Sequence, residues 1–295
     1  MWIVCIALLI HGFDSREAND MAGLIKRLGQ HKLMMLSGSI ITTMVIIAIF
    51  APFLAPNDPN LVDLALKLQS PSAQYPLGTD HLGRCILSRL LFGTQASLGV
   101  AVVVMGLTVL ISVPLGIYAG YRGGWFDAVF MRICEVLLAF PSFLLALALI
   151  GFLGPSLTNL ILAMVIVQWV FYARVIRGMV LSAKKRNFVL SAQISGTSPL
   201  KIITRHIFPS VITQVIVLIF MDIGGVILTI SGLSFLGLGI QPPNPEWGMM
   251  INDSKPFFRN YPELMLYPGI MIFLIVVAFN LFGEALRDAF DLKME

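Results

Sequence analysis

The protein has 295 residues, of which 57% are hydrophobic and only 12% are charged, and its formal net charge at pH 7 is +4. Soluble domains have about 45–50% apolar and about 25% charged residues, so this composition excludes a water-soluble globule and indicates a membrane protein. It also excludes a disordered chain, a disulfide-rich secreted module and a protein that binds nucleic acid through a dense basic surface. No nucleic-acid partner is therefore expected.

The N-terminal segment, residues 1–32, is predicted to be cytoplasmic. Its first ten residues, MWIVCIALLI, are apolar, but they lack a basic region and are followed by polar residues rather than by a cleavage site. We therefore predict no signal peptide. From Met21 onward the sequence is typical of a cytoplasmic segment that precedes a first membrane helix. This leads to the hypothesis that translation starts at Met21 and that residues 1–20 are not part of the protein.

Six apolar stretches follow, and a membrane helix needs about 20 such residues at about 1.5 Å per residue. The predicted spans are residues 33–55, 97–118, 136–153, 157–172, 210–236 and 264–282. Only Gly154-Pro155-Ser156, a turn sequence, separates the third span from the fourth. We predict an all-α polytopic protein with one membrane domain, residues 33–290, and a cytoplasmic tail, residues 291–295.

The distribution of Lys and Arg predicts the orientation, because these residues are retained on the cytoplasmic side of a membrane. If the N-terminus is inside, fifteen of the twenty basic residues lie on the inner side. Both termini are therefore predicted to be cytoplasmic, in a multi-pass protein of the bacterial inner membrane. Two loops, about residues 56–96 and 237–263, would then face outward.

The inner loop after the fourth span, residues 173–209, contains ordered helix stop and start signals. Gly196 stands where a helix end favours positive φ, Ser198 is a candidate N-cap, and Pro199 occupies the first position of a second helix. Pro209 is predicted to end that helix before the fifth span. The loop is therefore predicted to form a helix-turn-helix.

The second helix of this loop is predicted to be amphipathic, with Leu200, Ile203 and Ile207 on one side and basic residues away from them. Such a helix protruding from a membrane domain needs an apolar partner surface. The alternative is that it lies on the lipid interface of its own membrane.

This loop resembles the coupling loop of ABC-importer permeases, in which Glu-Ala-Ala, a later Gly and a closing Pro recur. Leu190-Ser191-Ala192, Gly196 and Pro209 occupy those places, and Leu190 departs from the usual Glu, which removes the basis for a salt bridge there. The resemblance implies that this loop contacts an ATPase. The implied contact residues are Leu190, Ser191, Ala192, Gly196, Thr197, Ser198, Pro199, His206 and Pro209.

Two further segments resemble the C-type permease subunit of the dipeptide, oligopeptide and nickel importers. The first precedes the second span and contains Gly78, Asp80, Gly83 and Arg84; the second runs from Gly232 to Gly248. The first segment is either a scaffold held by an Asp80–Arg84 contact or a substrate contact. The glycines and prolines of the second segment cannot extend a helix, so the fifth span is predicted to end there and to border the transport path.

Asp222 is the carboxylate that lies well inside a predicted span, where an ionisable group costs on the order of 3 kcal/mol. It is a path residue that favours cationic or metal-bearing cargo, a partner in an interhelical hydrogen bond, or a neutral, protonated acid. Ser231 and Ser234 are further path candidates. The Asp222-Ile223-Gly224 sequence resembles the nickel branch of the family more than the peptide branch. Glu135, Arg174 and Arg177 are predicted to be interface anchors.

The resemblance implies a type I ABC-importer permease fold, with a second, B-type permease subunit, two ATPase subunits, an extracytoplasmic solute-binding protein and membrane lipid as partners. The sequence contains no G-x-x-x-x-G-K-[ST] phosphate loop, so ATP and Mg²⁺ are expected on the ATPases, and this chain is predicted to have no cofactor, metal site or catalytic residue. The cargo is expected to be a nickel or other metal chelate, or a di- or oligopeptide. The alternatives are a secondary transporter driven by an ion gradient, which should show inverted repeats, and an intramembrane enzyme.

Overall fold

The computed structural model describes residues 32–291. The predictions about the N-terminal start, the signal peptide and the tail concern residues outside this range. The described helices are α1 Lys32–Leu54, α2 Ile86–Arg122, α3 Gly124–Leu138, α4 Ser142–Leu153, α5 Leu157–Ala183, α6 Asn187–Ile194, α7 Pro199–Ile202, α8 Phe208–Phe235, α9 Trp247–Ser254 and α10 Glu263–Asp291. Within residues 32–291 there is no β-strand, which confirms the all-α prediction.

Five helical stretches in the described range are long and apolar enough to cross a membrane, and a bent pair of helices makes a sixth crossing if it is counted as one span. The five are α1, α2, α5, the continuous stretch from α7 through α8, and α10. This confirms a polytopic membrane protein. The orientation of the termini stays a prediction.

The third span differs from the prediction of a single helix over residues 136–153. Helices α3 and α4 meet at an angle of 85°, and Pro141 stands at the N-terminal boundary of α4. Proline has no N–H to donate and disfavours helical geometry in the residue before it, so the helix breaks there. The prediction missed α3 because the charges of Asp127, Arg132 and Glu135 interrupt the apolar run.

The core of the bundle is formed by α2, α5, α8 and α10, with α1 packed against α2 and α10. Glycines set the closest approaches. A Cβ atom on Gly116 would lie 2.8 Å from the carbonyl oxygen of Ala173, and one on Gly283 would lie 2.7 Å from the backbone of Met221. Small residues let membrane helices approach at backbone distance, so these positions fix how α2 meets α5 and how α8 meets α10.

Candidate functional site

The turn of the predicted coupling loop has the geometry that its sequence predicts. Gly196 has φ of 71°, its N–H donates to the carbonyl of Gln193 at 3.1 Å, and the N–H of Thr197 donates to the carbonyl of Ala192 at 3.0 Å. These two bonds define a Schellman motif, which ends α6 and satisfies carbonyls that the helix leaves free. Ser198 occupies the N-cap position of α7 and Pro199 follows it, but the Ser198 side chain makes no capping hydrogen bond.

Pro209 does not end the second helix, and that prediction is wrong. The chain passes from α7 through a π-helical turn, Ile203–Ile207, directly into α8. In this turn the N–H of Phe208 donates to the carbonyl of Ile203, five residues back. The wider turn accommodates the proline ring and the missing N–H at the point where α8 begins. The loop is therefore joined to α8 by uninterrupted helix.

The apolar side chains of the coupling hairpin, residues 187–209, divide into two groups. Ile202 and Ile207 are buried, whereas Ile194 is 88% exposed and Leu200 is 71% exposed. The predicted face of Leu200, Ile203 and Ile207 is therefore wrong, since Leu200 points away from the buried side. The π-helical turn shifts the register, so a face drawn at regular α-helical spacing does not continue through it. His206 lies against Phe188, with ring centroids 6.1 Å apart.

At the other end of α8 the Asp80 carboxylate organises a turn in the first motif. Its Oδ1 accepts the N–H groups of Leu82 and Arg84 at 2.8 Å and 2.9 Å, and its Oδ2 accepts from Nε of Arg84 at 2.6 Å. The predicted Asp80–Arg84 contact is present. Gly78 and Gly83 both have positive φ, and a Cβ on Gly83 would lie 1.8 Å from the carbonyl oxygen of Asp63. Only glycine fits these two positions.

Two further charged side chains complete what we call the ionic cluster, which consists of Asp80, Arg84, Arg89 and Asp253. Nη2 of Arg84 lies 3.4 Å from Asp253 Oδ2, and Nε of Arg89 lies 3.6 Å from Asp80 Oδ2. Arg89 also donates to the carbonyl of Pro59 at 3.2 Å. Both arginines are buried. The cluster therefore ties the first motif, α2 and α9 together, and its charges are satisfied within the chain.

His81 borders the ionic cluster and stacks on Phe257, with ring centroids 5.2 Å apart. Burial lowers the pKa of His81, and the arginines of the cluster lower it further, while Asp80 and Asp253 oppose the shift. The imidazole is thus favoured in its neutral form, which suits stacking on an aromatic ring better than a contact as a cation. No group of three or more metal-binding side chains occurs within residues 32–291.

Glu246 is a structural residue whose role the sequence did not reveal. It is fully buried, its two carboxylate oxygens accept the N–H groups of Gly248 and Met249 at 2.9 Å each, and Ser97 of α2 donates to it at 3.2 Å. Burial raises the pKa of Glu246, and these hydrogen bonds oppose the rise. The usual N-cap residues are Ser, Thr, Asp and Asn, so a glutamate in this position gives no recognisable signal.

The end of α8 matches the prediction from its glycines. The helix ends at Phe235, Gly237 has φ of 83°, and the N–H of Leu238 donates to the carbonyl of Leu233 at 3.0 Å. The path candidates Ser231 and Ser234 are both buried. A Cβ on Gly248 would lie 2.3 Å from the carbonyl oxygen of Ser231, so α9 covers this part of α8.

Asp222 makes an interhelical hydrogen bond, which was one of its predicted roles. Its Oδ2 accepts from the hydroxyl of Tyr172 at 2.9 Å, which joins α8 to α5. Tyr172 is fully buried, whereas Asp222 is only partly buried, and the next turn of its helix carries the exposed Gly225. The structure places this carboxylate within α8, between the coupling hairpin and the ionic cluster.

The predicted interface anchors have different environments. Arg132 and Glu135 pair at 2.8 Å on an exposed face of α3, and Arg174 is exposed. Arg177 instead forms a bidentate pair with Asp127 that joins α5 to α3. That pairing was not predicted, because the two residues are 50 positions apart in the chain.

Comparison with known proteins gives two matching family models. A model described as "Binding-protein-dependent transport system inner membrane component" matches residues 112–295, and one described as "N-terminal TM domain of oligopeptide transport permease C" matches residues 22–71. The first match includes the coupling hairpin, Asp222 and Glu246. The second ends before the ionic cluster.

Three curated relatives are similar over most of their length. The chain is 41% identical over 252 residues to the nickel transport system permease protein NikC of Escherichia coli K12, covering 85% of this chain and 91% of that protein. It is 40% identical over 270 residues to the dipeptide transport system permease protein DppC of Alkalihalophilus pseudofirmus, covering 92% and 89%. It is 40% identical over 260 residues to the glutathione transport system permease protein GsiD of Pectobacterium atrosepticum, covering 88% and 86%.

Proposed function

Because this chain belongs to the family of binding-protein-dependent transport system inner membrane components, we propose that it forms one half of a translocation path opposite a second, B-type permease subunit. The chain is a multi-pass permease subunit of an ABC importer in the bacterial inner membrane. The relatives support this assignment and not the ion-gradient alternative. In our proposal two separate ATPase subunits bind ATP and Mg²⁺.

The observation that carries the proposed attachment to the ATPases is the exposure of Ile194 and Leu200 on either side of the Gly196 turn. Large apolar side chains this exposed in a loop that is predicted to lie outside the membrane support a surface that another protein covers. Lys201 and Arg205 lie within the hairpin, and Lys184, Lys185 and Arg186 directly precede it, a positive charge that would suit an acidic rim on the partner. The competing interpretation is that these side chains enter the lipid interface.

The continuous helix from Pro199 to Phe235 suggests how movement of the ATPases reaches the path. A displacement of the hairpin would tilt α8 directly, because no flexible loop separates them. Helix α8 carries Asp222, so the tilt would move that carboxylate relative to α5 and to the partner permease. Such a rigid-body change would alternate the access of the path between the two sides of the membrane.

The proposed cargo is a nickel or other metal chelate, or a di- or oligopeptide, brought by a solute-binding protein to the loops of residues 56–96 and 237–263. The names of the relatives include nickel, dipeptide and glutathione transport. The partly exposed carboxylate of Asp222 favours a cargo with a positively charged group, since an acid inside a span attracts such a group.

Cysteine labelling in membrane vesicles tests this proposal. In a chain with Cys5 replaced by serine, Leu200→Cys should react with a membrane-impermeant maleimide in inverted vesicles stripped of ATPases. Rebinding the ATPases should protect it. The matched variant Phe258→Cys, an exposed apolar residue near the other end of the bundle, should react only in right-side-out vesicles.

Two results would contradict the attachment of the ATPases at the hairpin. One is labelling of Leu200→Cys from the outer side, which would reverse the predicted orientation. The other is equal labelling with and without bound ATPases, which would favour a hairpin that contacts only lipid. The remaining cysteines of the described chain, Cys85 and Cys134, are buried and give little background.

A further inference from the structure

Helix α8 carries two adjacent glycines, Gly224 and Gly225, whose surroundings differ. A Cβ on Gly224 would lie 3.1 Å from the carbonyl oxygen of Val276 and 3.2 Å from Oδ1 of Asn280, so packing against α10 accounts for it. Gly225 is exposed, and a Cβ there would meet only Oδ1 of Asp222, at 3.4 Å. Packing within the described chain therefore does not require glycine at position 225, although glycine costs a helix about 1 kcal/mol relative to alanine.

The two carboxylate oxygens of Asp222 have different surroundings. Oδ2 accepts from Tyr172, and this hydroxyl is the only hydrogen-bond partner of the carboxylate within residues 32–291. Because Tyr172 is fully buried between helices, it holds the carboxylate in one orientation. The second oxygen, Oδ1, is the one that lies beside Gly225.

We propose that Gly225 is a specificity-determining residue, which leaves Oδ1 of Asp222 open to the translocation path so that it can contact a positively charged group on the cargo. A carboxylate oxygen at this depth is costly against lipid and is favoured where it meets a cavity or a partner. A side chain at position 225 would lie against Oδ1, since a Cβ there is already 3.4 Å from this oxygen, and would shield it from a cargo. Tyr172 acts as the positioning residue that fixes Oδ2. This inference rests on the proposed role of Asp222 in cargo contact.

The test uses the whole transporter in proteoliposomes, with ATP inside and the solute-binding protein outside. The probes are radioactive nickel supplied with excess histidine and radiolabelled alanyl-alanine. The variants are Gly225→Leu, Asp222→Asn and the two combined, and Gly106→Leu is the matched control. Gly106 is also an exposed glycine within a long membrane helix, and a Cβ there would meet no atom within 4 Å.

Gly225→Leu is expected to lower uptake of the probe that depends on Asp222 by about tenfold, the loss typical when a hydrogen bond to a charged group is removed. Gly106→Leu should leave both uptake and the basal ATPase rate unchanged, because this glycine lies outside the proposed cargo contact. Because Gly225 is inferred to act through Asp222, adding Gly225→Leu to Asp222→Asn should cause no further loss. A purely structural role would instead give additive losses in the double variant and would lower the uptake of both probes alike.

The outcomes separate this inference from the proposed cargo contact. If Asp222→Asn leaves the uptake of both probes unchanged, or reduces both equally, the cargo role of Asp222 fails. If Asp222→Asn reduces one probe selectively but Gly225→Leu does not, the cargo role stands and the role of Gly225 is wrong. Additive losses in the double variant also overturn the role of Gly225.

Discussion

The two ends of helix α8 differ in whether the side chains around them find partners within the chain. At one end the ionic cluster is buried, and its four charged groups find partners within the same chain. At the other end the coupling hairpin satisfies its backbone through a Schellman turn, yet leaves Ile194 and Leu200 exposed. With 28 residues, α8 separates these ends by about 42 Å. The difference agrees with our proposal that another protein completes the second end, whereas the charges of the first end are paired within the chain.

The largest expected effect would come from breaking the ionic cluster. Arg84→Ala removes the nearest cationic partner of the buried Asp80, which then faces only Arg89 at 3.6 Å, and removing one partner of a buried ion pair typically costs about 3–5 kcal/mol. The variant should therefore lower the thermal stability of the purified permease in detergent or prevent its accumulation. The matched control is Arg132→Ala, which breaks the exposed pair with Glu135 and should cost about 0–1 kcal/mol. Equal stability of the two variants would show that the cluster is not the structural centre of that end.

An intermediate effect is expected at the coupling hairpin. Gly196→Val places a β-branched residue at φ of 71°, which costs on the order of 1–3 kcal/mol and distorts the turn. Co-purification of the ATPases should fall, while the permease itself should still insert into the membrane. Gly178→Val is the control, because Gly178 lies in α5 with no atom within 4 Å of its position for a Cβ. Normal ATPase binding and uptake with Gly196→Val would count against the coupling-loop assignment.

The smallest expected effect is the pH dependence of the stability that Glu246 contributes near the ionic-cluster end of α8. Burial raises the pKa of Glu246 in the folded state above its ordinary carboxyl value in the unfolded state. Protonation of this group therefore stabilises the folded state at low pH, and that stabilisation is lost as pH rises from the ordinary carboxyl pKa through the raised pKa. Glu246→Gln cannot titrate, and its amide can accept only one of the two capping bonds, a loss of about 1 kcal/mol. The stability penalty of the variant should therefore be greatest at low pH and should shrink as pH rises. A penalty that stays constant between pH 4 and 8, measured by thermal unfolding in detergent, would show that the carboxyl does not titrate in this range.

The sequence predicted correctly those features that depend on residues close together in the chain. The turn at Gly196 and the end of α8 at Gly237 follow from the backbone freedom of glycine. The Asp80–Arg84 contact joins residues four positions apart within one turn. Each of these features depends on only a few consecutive residues, so a single sequence contains the necessary information.

The predictions that failed involve geometry that develops over longer distances. The face of Leu200, Ile203 and Ile207 was drawn with α-helical spacing, and a single π-helical turn changed it. The third span was drawn as one helix because the apolar run continues past Pro141, whereas the chain bends there by 85°. Hydropathy measures how apolar a stretch is and does not predict whether the helix bends within it.

The sequence by itself determined three things: that the chain belongs in a membrane, at which glycines the backbone turns, and which loops carry charge. It could do so because composition and local conformation depend on consecutive residues. Only the tertiary structure decided that Arg84 meets Asp253 across 169 positions, that Ser97 meets Glu246 across 149, and that Tyr172 holds one oxygen of Asp222. Those partners are brought together by helix packing, and buried polar groups must find whichever partner the packing supplies.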